Sequence, residues 1–245
     1  MRRSGDELAA RRIVLTGATG GLGRAIAERL ARGGAALLLI GRRADELREL
    51  GEGLGASVLV GDLTDAGFVA SLSSRVSDAW GAAPDVLINN AGAFELAPLH
   101  ETGVTTFERL LTVNLRVPFE LTRLWLPAMI ERRSGQVVNV GSIAGRVAFA
   151  GNAAYSASKF GLRGLHEVLV EELQGTGVRV TWIEPSAVNT PLWDRFDPDG
   201  RSDLPSRAAM LFPEAVAEAV FFGIAQPESV AVQEIVIRAN PQPMV

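Results

Sequence analysis

Of the chain's 24 lysine and arginine residues only Lys159 is a lysine, and the single tyrosine is Tyr155. Four positions apart, the two share one face of a helix, which sets an ammonium beside a phenol. A free tyrosine titrates near pH ~10, and a cation within a few ångström lowers that value by roughly 1–3 units, toward a useful working pH. The pair is therefore a candidate general acid or base. An arginine-rich composition can leave such a pair by accident, so other motifs have to support it.

The elements that would position the pair form a regular series. Arg12 to Thr16 reads as a buried strand, followed by the turn Gly17, Ala18, Thr19, Gly20, Gly21, Leu22, Gly23 and a helix with Leu22, Ile26 and Leu30 on one face. A glycine-rich turn between strand and helix lets backbone approach a pyrophosphate at a helix N-terminus, where free N–H groups and positive potential meet. Steric need alone also produces such turns. The second strand, Ala36 to Ile40, ends in Gly41, Arg42 and Arg43. A carboxylate there would accept from both ribose hydroxyls of NAD; Gly41 has none, whereas Arg42 or Arg43 can pair with a 2′-phosphate. That favours NADP(H) over NAD(H), against the plain alternative of arginines opening a surface helix.

Further units follow. Val58 to Val60 leads to Gly61, Asp62 and Leu63; a helix carries Phe68, Val69, Leu72 and Val76; Asp85 to Ile88 ends in Asn89, Asn90, Ala91 and Gly92. Strands also read at Val137 to Val140, before Gly141 and Ser142; at Val178 to Ile183, before the run Glu184 to Pro191; and at Val232 to Arg238. Alternation of this kind implies one α/β domain, a Rossmann-type doubly wound parallel sheet of about seven strands with helices on both faces. Ligands then bind at the carboxyl ends of the strands, where Asp62 and Asn90 are candidates for adenine and ribose contacts or simple caps of the next turn. Thr105 to Arg133 reads as a long helix that Pro118 or Pro127 bends or breaks, with Asn114 alone in an apolar run and in need of hydrogen-bond partners.

Composition closes off other classes. A net charge of −4 and 47% hydrophobic residues show no basic field, so neither nucleic acid nor an anionic membrane is an expected partner. Cysteine is absent, and His100 and His166 have no plausible fellow ligands in sequence, so no metal site is expected. No secretory signal and no apolar run long enough to span a membrane are read, and a cytoplasmic protein is expected. Residues 1–11 are expected as a flexible arm, 12–245 as the domain, and 191–212 as a lid loop over a small-molecule substrate. Phe94, Phe149 and Trp193 either line an apolar pocket there or simply pack.

These motifs, in order, make the chain resemble the short-chain dehydrogenases/reductases over nearly its whole length: TGxxxGxG at Thr16 to Gly23, NNAG at Asn89 to Gly92, the mid-helix Asn114, the strand-end Ser142, YxxxK at Tyr155 to Lys159, and PxxVxTP from Pro185. The resemblance implies that Tyr155 exchanges a proton with the substrate oxygen as hydride moves to or from nicotinamide, and that Ser142 hydrogen-bonds that oxygen. It implies Lys159 on the nicotinamide ribose, lowering the tyrosine pKa, and Asn114 on a water linking Lys159 to solvent. Thr19, Gly20 and Leu22 would contact phosphates and ribose, with Gly17, Gly21 and Gly23 shaping the turn. Arg42 would meet the 2′-phosphate, Asp62 and Leu63 the adenine, Val188 the carboxamide, and Thr190 the region of the diphosphate. Ser186 stands where relatives often have glycine, and the last strand lacks a DGG ending, which likens the chain to the branch with NADP-dependent 3-hydroxy acid dehydrogenases. The expected activity is a carbonyl reductase or alcohol dehydrogenase, with a 3-hydroxy acid dehydrogenase and a non-catalytic dinucleotide sensor as alternatives. A homodimer or homotetramer through the long helices flanking the fifth strand is the expected assembly.

Overall fold

A computed structural model describes residues 7–240. Seven strands run parallel in the order β3-β2-β1-β4-β5-β6-β7: β1 (Arg12–Thr16), β2 (Ala36–Gly41), β3 (Ser57–Val60), β4 (Val86–Asn89), β5 (Gly135–Val140), β6 (Val178–Pro185) and β7 (Glu234–Ile237). The expected doubly wound sheet is present, with strand bounds within a few residues of those read from sequence.

Parallel strands covered on both faces read as unbroken apolar runs. In β1, Ile13 and Leu15 enter the core on one face while Val14 enters the other; in β2, Leu37 and Leu39 oppose Leu38 and Ile40. The first face packs on α1 (Gly21–Arg32) and α7 (Pro213–Ala225), which bring Ile26, Leu30, Val220 and Ile224. The second packs on α3 (Ala66–Trp80), α5 (Val117–Glu131) and α6 (Ala153–Glu172), with Leu72, Leu121, Trp125 and Leu169. Of the arm expected over 1–11, residues 1–6 lie outside the described residues, while Leu8 is fully buried in the first core layer. That end is stitched down, because the Leu8 N–H donates to the Gly33 carbonyl.

The helical stretch after β4 is three pieces. α4 (Val104–Leu111) passes into a π-helical segment, Thr112–Arg116, before α5 begins with Pro118 in its first turn. Proline has no N–H, so the Asn114 carbonyl lacks its i+4 donor, and a wider turn is a common answer to such a gap. Pro118 thus causes the break and Pro127 is carried inside α5. Chain reversal of the sheet order falls between β1 and β4, and the crevice outside their carboxyl ends is where this architecture binds ligands.

Candidate active site

At the end of β1 the glycine turn is forced by close contacts. A Cβ on Gly23 would stand 2.1 Å from the Gly17 carbonyl oxygen, and Gly17 itself has φ of +68°. Gly21 faces Thr190 and Pro191, 3.0 Å from where its Cβ would be. Gly20 caps α1 without a side-chain hydrogen bond, and no acidic residue occupies the first turn. The N–H groups there are left for an anion, as a pyrophosphate site requires.

Asn90 serves the turn itself. Its Nδ2 donates to the carbonyls of Thr16 (2.9 Å) and Gly17 (3.3 Å), while the Thr16 hydroxyl accepts from the N–H groups of Asn90 and Ala91, each at 3.0 Å. These bonds hold Asn90 to the glycine turn after β1, not to the turn after its own strand that the capping alternative named. At the end of β2, Arg42 reaches Asp62 at 3.6 Å and is exposed, while the guanidinium of Arg43 donates to the Thr19 carbonyl and pairs with Glu46 at 3.1 Å. Asp62 also accepts from the N–H and hydroxyl of Thr64, both at 2.9 Å; that backbone N–H above all, opposed by burial and helped by Arg42, holds it below the usual carboxylate range. Leu63 is buried beneath it.

On the far side of the crevice α6 carries Tyr155 and Lys159, with Ser142 at the end of β5 beside the phenol. The Lys159 ammonium is buried, lies 5.8 Å from the tyrosine ring centroid and donates to the Val140 carbonyl at 3.0 Å. Burial pushes its pKa down to about 8. Burial also raises the Tyr155 pKa, opposed by the Ser142 hydroxyl. In this arrangement desolvation outweighs the favourable neighbours of the phenol, and the ammonium is turned to a backbone carbonyl.

Asn114 is fully buried and links three segments. Its Oδ1 accepts from the Ala93 N–H (2.8 Å), and its Nδ2 donates to the Ala93 carbonyl (2.9 Å) and to the Ser158 hydroxyl (2.9 Å). Ser158 in turn donates to the Tyr155 carbonyl at 2.6 Å. Ser158 was missed as a positioning residue; its place three residues after the tyrosine, where a serine bonds back to a helix carbonyl, was the available signal. Gly145 lets the Ser142 turn seat on α6, since a Cβ there would stand 2.8 Å from the Lys159 carbonyl oxygen.

Val188 and Thr190 follow β6 at the mouth of the crevice. Val188 bridges to Leu211, and Thr190 is nearly buried against Gly21. Above Tyr155 stands an aromatic wall: the Phe94 ring meets the tyrosine edge-on at 4.8 Å and contacts Trp193 at 5.1 Å and Phe196 at 5.3 Å. Phe149 is exposed and outside this cluster, in which Phe196 of the loop takes a place. The loop is tied to its base by Arg195 on Glu95 (3.1 Å) and by Arg207 on Asn189 (2.7 Å) and Asp194 (2.6 Å).

Behind the site, Glu184 has no exposed side chain and accepts from Arg146 (3.1 Å), Arg163 (3.0 Å), Arg238 (2.9 Å) and the Trp182 indole (3.2 Å). Burial alone would raise its pKa, but these donors, Arg238 foremost, hold it low. Arg146 follows the Ser142 turn and Arg163 lies one helical turn past Lys159, so a single carboxylate joins the segments that carry Ser142 and Lys159. His166 is buried beside Trp182, its pKa pushed to about 4 by burial and then by Arg163. Among the described residues no group of three metal-ligating side chains occurs, and no helix is long and apolar enough to cross a membrane.

Known proteins are similar to this chain in sequence and fold. The NADP-dependent 3-hydroxy acid dehydrogenase YdfG of Salmonella typhi is 34% identical over 230 residues, 91% of this chain and 92% of that protein. A closed form of serine dehydrogenase complexed with NADP+ superposes with a TM-score of 0.87 at 31% identity, covering 95% of this chain and 96% of its own. A metagenomic short-chain oxidoreductase in complex with NADP gives 0.80 at 31% identity, over 96% of this chain and 100% of the other. The family profile described as short chain dehydrogenase matches residues 11–200, and with it the chain belongs to the short-chain dehydrogenase family.

Proposed function

We propose that the protein is an NADP(H)-dependent oxidoreductase that interconverts a carbonyl compound and its alcohol, with Tyr155 as the proton donor and acceptor. The observation that carries this reading is the convergence of Tyr155, Ser142, Lys159 and Asn114 on one crevice opposite the uncapped N-terminus of α1. The residues fit the cofactor. The open N–H groups of the glycine turn suit a diphosphate, and Arg42 and Arg43 at the end of β2 suit a 2′-phosphate better than a ribose diol. When bound, NADP(H) supplies the hydride chemistry.

The chain's own residues then do the following. Ser142 and Tyr155 hydroxyls bind the substrate oxygen and hold the reacting carbon toward the nicotinamide site. Tyr155, whose partly buried setting favours the neutral phenol, donates its proton to that oxygen in reduction and must first lose it in oxidation. Lys159 offers three donors on a compact charge, suited to ribose hydroxyls, and its charge favours the phenolate when Tyr155 acts as base. The Asn114 carbonyl, which Pro118 deprives of its i+4 donor, would hold a water linking Lys159 to solvent. Leu63, Val188 and Thr190 complete the adenine and nicotinamide ends. The intact set argues against the sensor reading.

Relatives that act on hydroxy acids favour a second reading, a 3-hydroxy acid dehydrogenase. For assembly, exposed Phe119 on α5 and exposed Phe160 and Val168 on α6 support a homodimer through these helices, which light scattering tests. The cofactor reading is tested by tryptophan fluorescence titration with NADPH and NADH. NADPH should bind tighter, and Arg42→Ala should weaken NADPH while leaving NADH near its original affinity; tighter NADH binding would overturn the assignment.

A further inference from the structure

We infer that the crevice takes neutral, apolar carbonyl compounds and discriminates against substrates that carry a carboxylate on the reacting carbon or one carbon away from it. This rests on the assignment of Tyr155 and Ser142 to the substrate oxygen, and it decides between the two readings above.

The wall against which the substrate must lie is aromatic. Phe94 is 5% exposed and touches the Tyr155 ring with its edge, and Trp193 and Phe196 close over Phe94 from the loop after β6. Such rings favour a flat apolar group next to the carbonyl. A carboxylate placed there needs a cation, because an ionised group taken out of water without a partner is strongly disfavoured.

Among the described residues, the cations on the substrate side of the crevice already have partners. Arg195 sits over the Phe196 ring at 4.6 Å, donates to the Phe94 carbonyl and pairs with Glu95, which also holds Arg109 at 3.3 Å. Arg207 spans Asn189 and Asp194, and Arg201 pairs with Asp203 at 2.7 Å. Arg146 and Arg163 face away, on Glu184 and Glu234. Lys159 is turned to Val140 and assigned to the ribose. Residues 191–212 carry four aspartates against three arginines, so the field over the mouth does not favour an anion. To hold a substrate carboxylate, Arg195 would have to give up Glu95 and the Phe94 carbonyl that seats the loop on the wall.

Matched pairs test this: benzoylformate against its methyl ester, and acetoacetate against its ethyl ester, each reduced by the full chain with NADPH at pH 7. The esters should exceed the acids in kcat/KM by about 100-fold or more, the order expected when a charged group loses its solvation without gaining a partner. Trp193→Ala should cost the aromatic ester about tenfold and the short ester much less, with NADPH affinity unchanged. Acids turned over as well as their esters, with that activity lost in Arg195→Met, would overturn the inference while leaving the oxidoreductase reading intact. Turnover of neither member of either pair by NADPH-bound protein would overturn both.

Discussion

Truncating Asn114 to alanine separates a positioning role from mere packing. The amide is fully buried and makes three hydrogen bonds at 2.8, 2.9 and 2.9 Å, two of them to the N–H and carbonyl of Ala93. Ser158 keeps its bond to the Tyr155 carbonyl, so its loss is small. Each orphaned backbone group costs about 1–3 kcal/mol, and because the Ala93 strand end is only partly buried the lower half of that range applies. The expected destabilisation is about 3 kcal/mol, which for a domain of this size corresponds to roughly 6–12 °C in Tm. Asn114→Asp keeps the acceptor for the Ala93 N–H but buries a charge with no donor to offer. It should therefore be less stable at pH 7 than at pH 5 relative to the parent. Urea unfolding followed by circular dichroism gives both values, and NADPH titration reports whether the crevice survives. Both variants lying within ~0.5 kcal/mol of the parent at both pH values would refute the argument that this amide ties β4 to α6.

Other consequences are equally direct. Lys159 has a folded pKa of about 8, below its free value, so the unfolded chain binds more protons between about pH 8 and 10. Stability should rise across that interval in the parent and stay level there in Lys159→Met, compared by urea midpoints at pH 7.5 and 9.5. Tyr155, whose pKa is raised, contributes in the opposite sense only above about pH 10, where the unfolded phenol ionises first. Removing Glu184 by mutation to alanine leaves three guanidiniums that water partly reaches without their shared acceptor and should be clearly destabilising; Glu184→Gln, which keeps the shape, should cost less. Equal losses in the two variants would mean that the charge, which both remove, carries the whole effect and that filling the site adds nothing.

What was readable in the sequence follows from how each residue is constrained. The strands were legible because both faces of a parallel sheet are covered, so β1 and β2 are continuous apolar runs whose alternate residues enter opposite cores. The glycine turn was legible because Gly17 and Gly23 tolerate no Cβ, and Tyr155 and Lys159 because each is the single residue of its type. The π segment was only half legible: Pro118 announced a break, but its form depends on Asn114 finding partners on Ala93 and Ser158, residues distant in sequence. The direction that burial gives the Tyr155 pKa was not legible for a similar reason. Spacing brings the lysine near, whereas burial and the Val140 carbonyl decide where its charge points. Glu184 was read only as a strand end, since nothing local marks a carboxylate whose arginines come from three separate elements.

The central claim is that Tyr155 carries the proton, and Tyr155→Phe tests it most directly, because the phenyl ring keeps the edge contact with Phe94 and removes only the hydroxyl. Steady-state reduction of the methyl ester of benzoylformate and an NADPH titration should be measured on the same preparation. The account predicts kcat lower by about 100- to 10,000-fold with NADPH affinity within a factor of about two of the parent. Turnover within tenfold of the parent would contradict it, whatever the cofactor affinity.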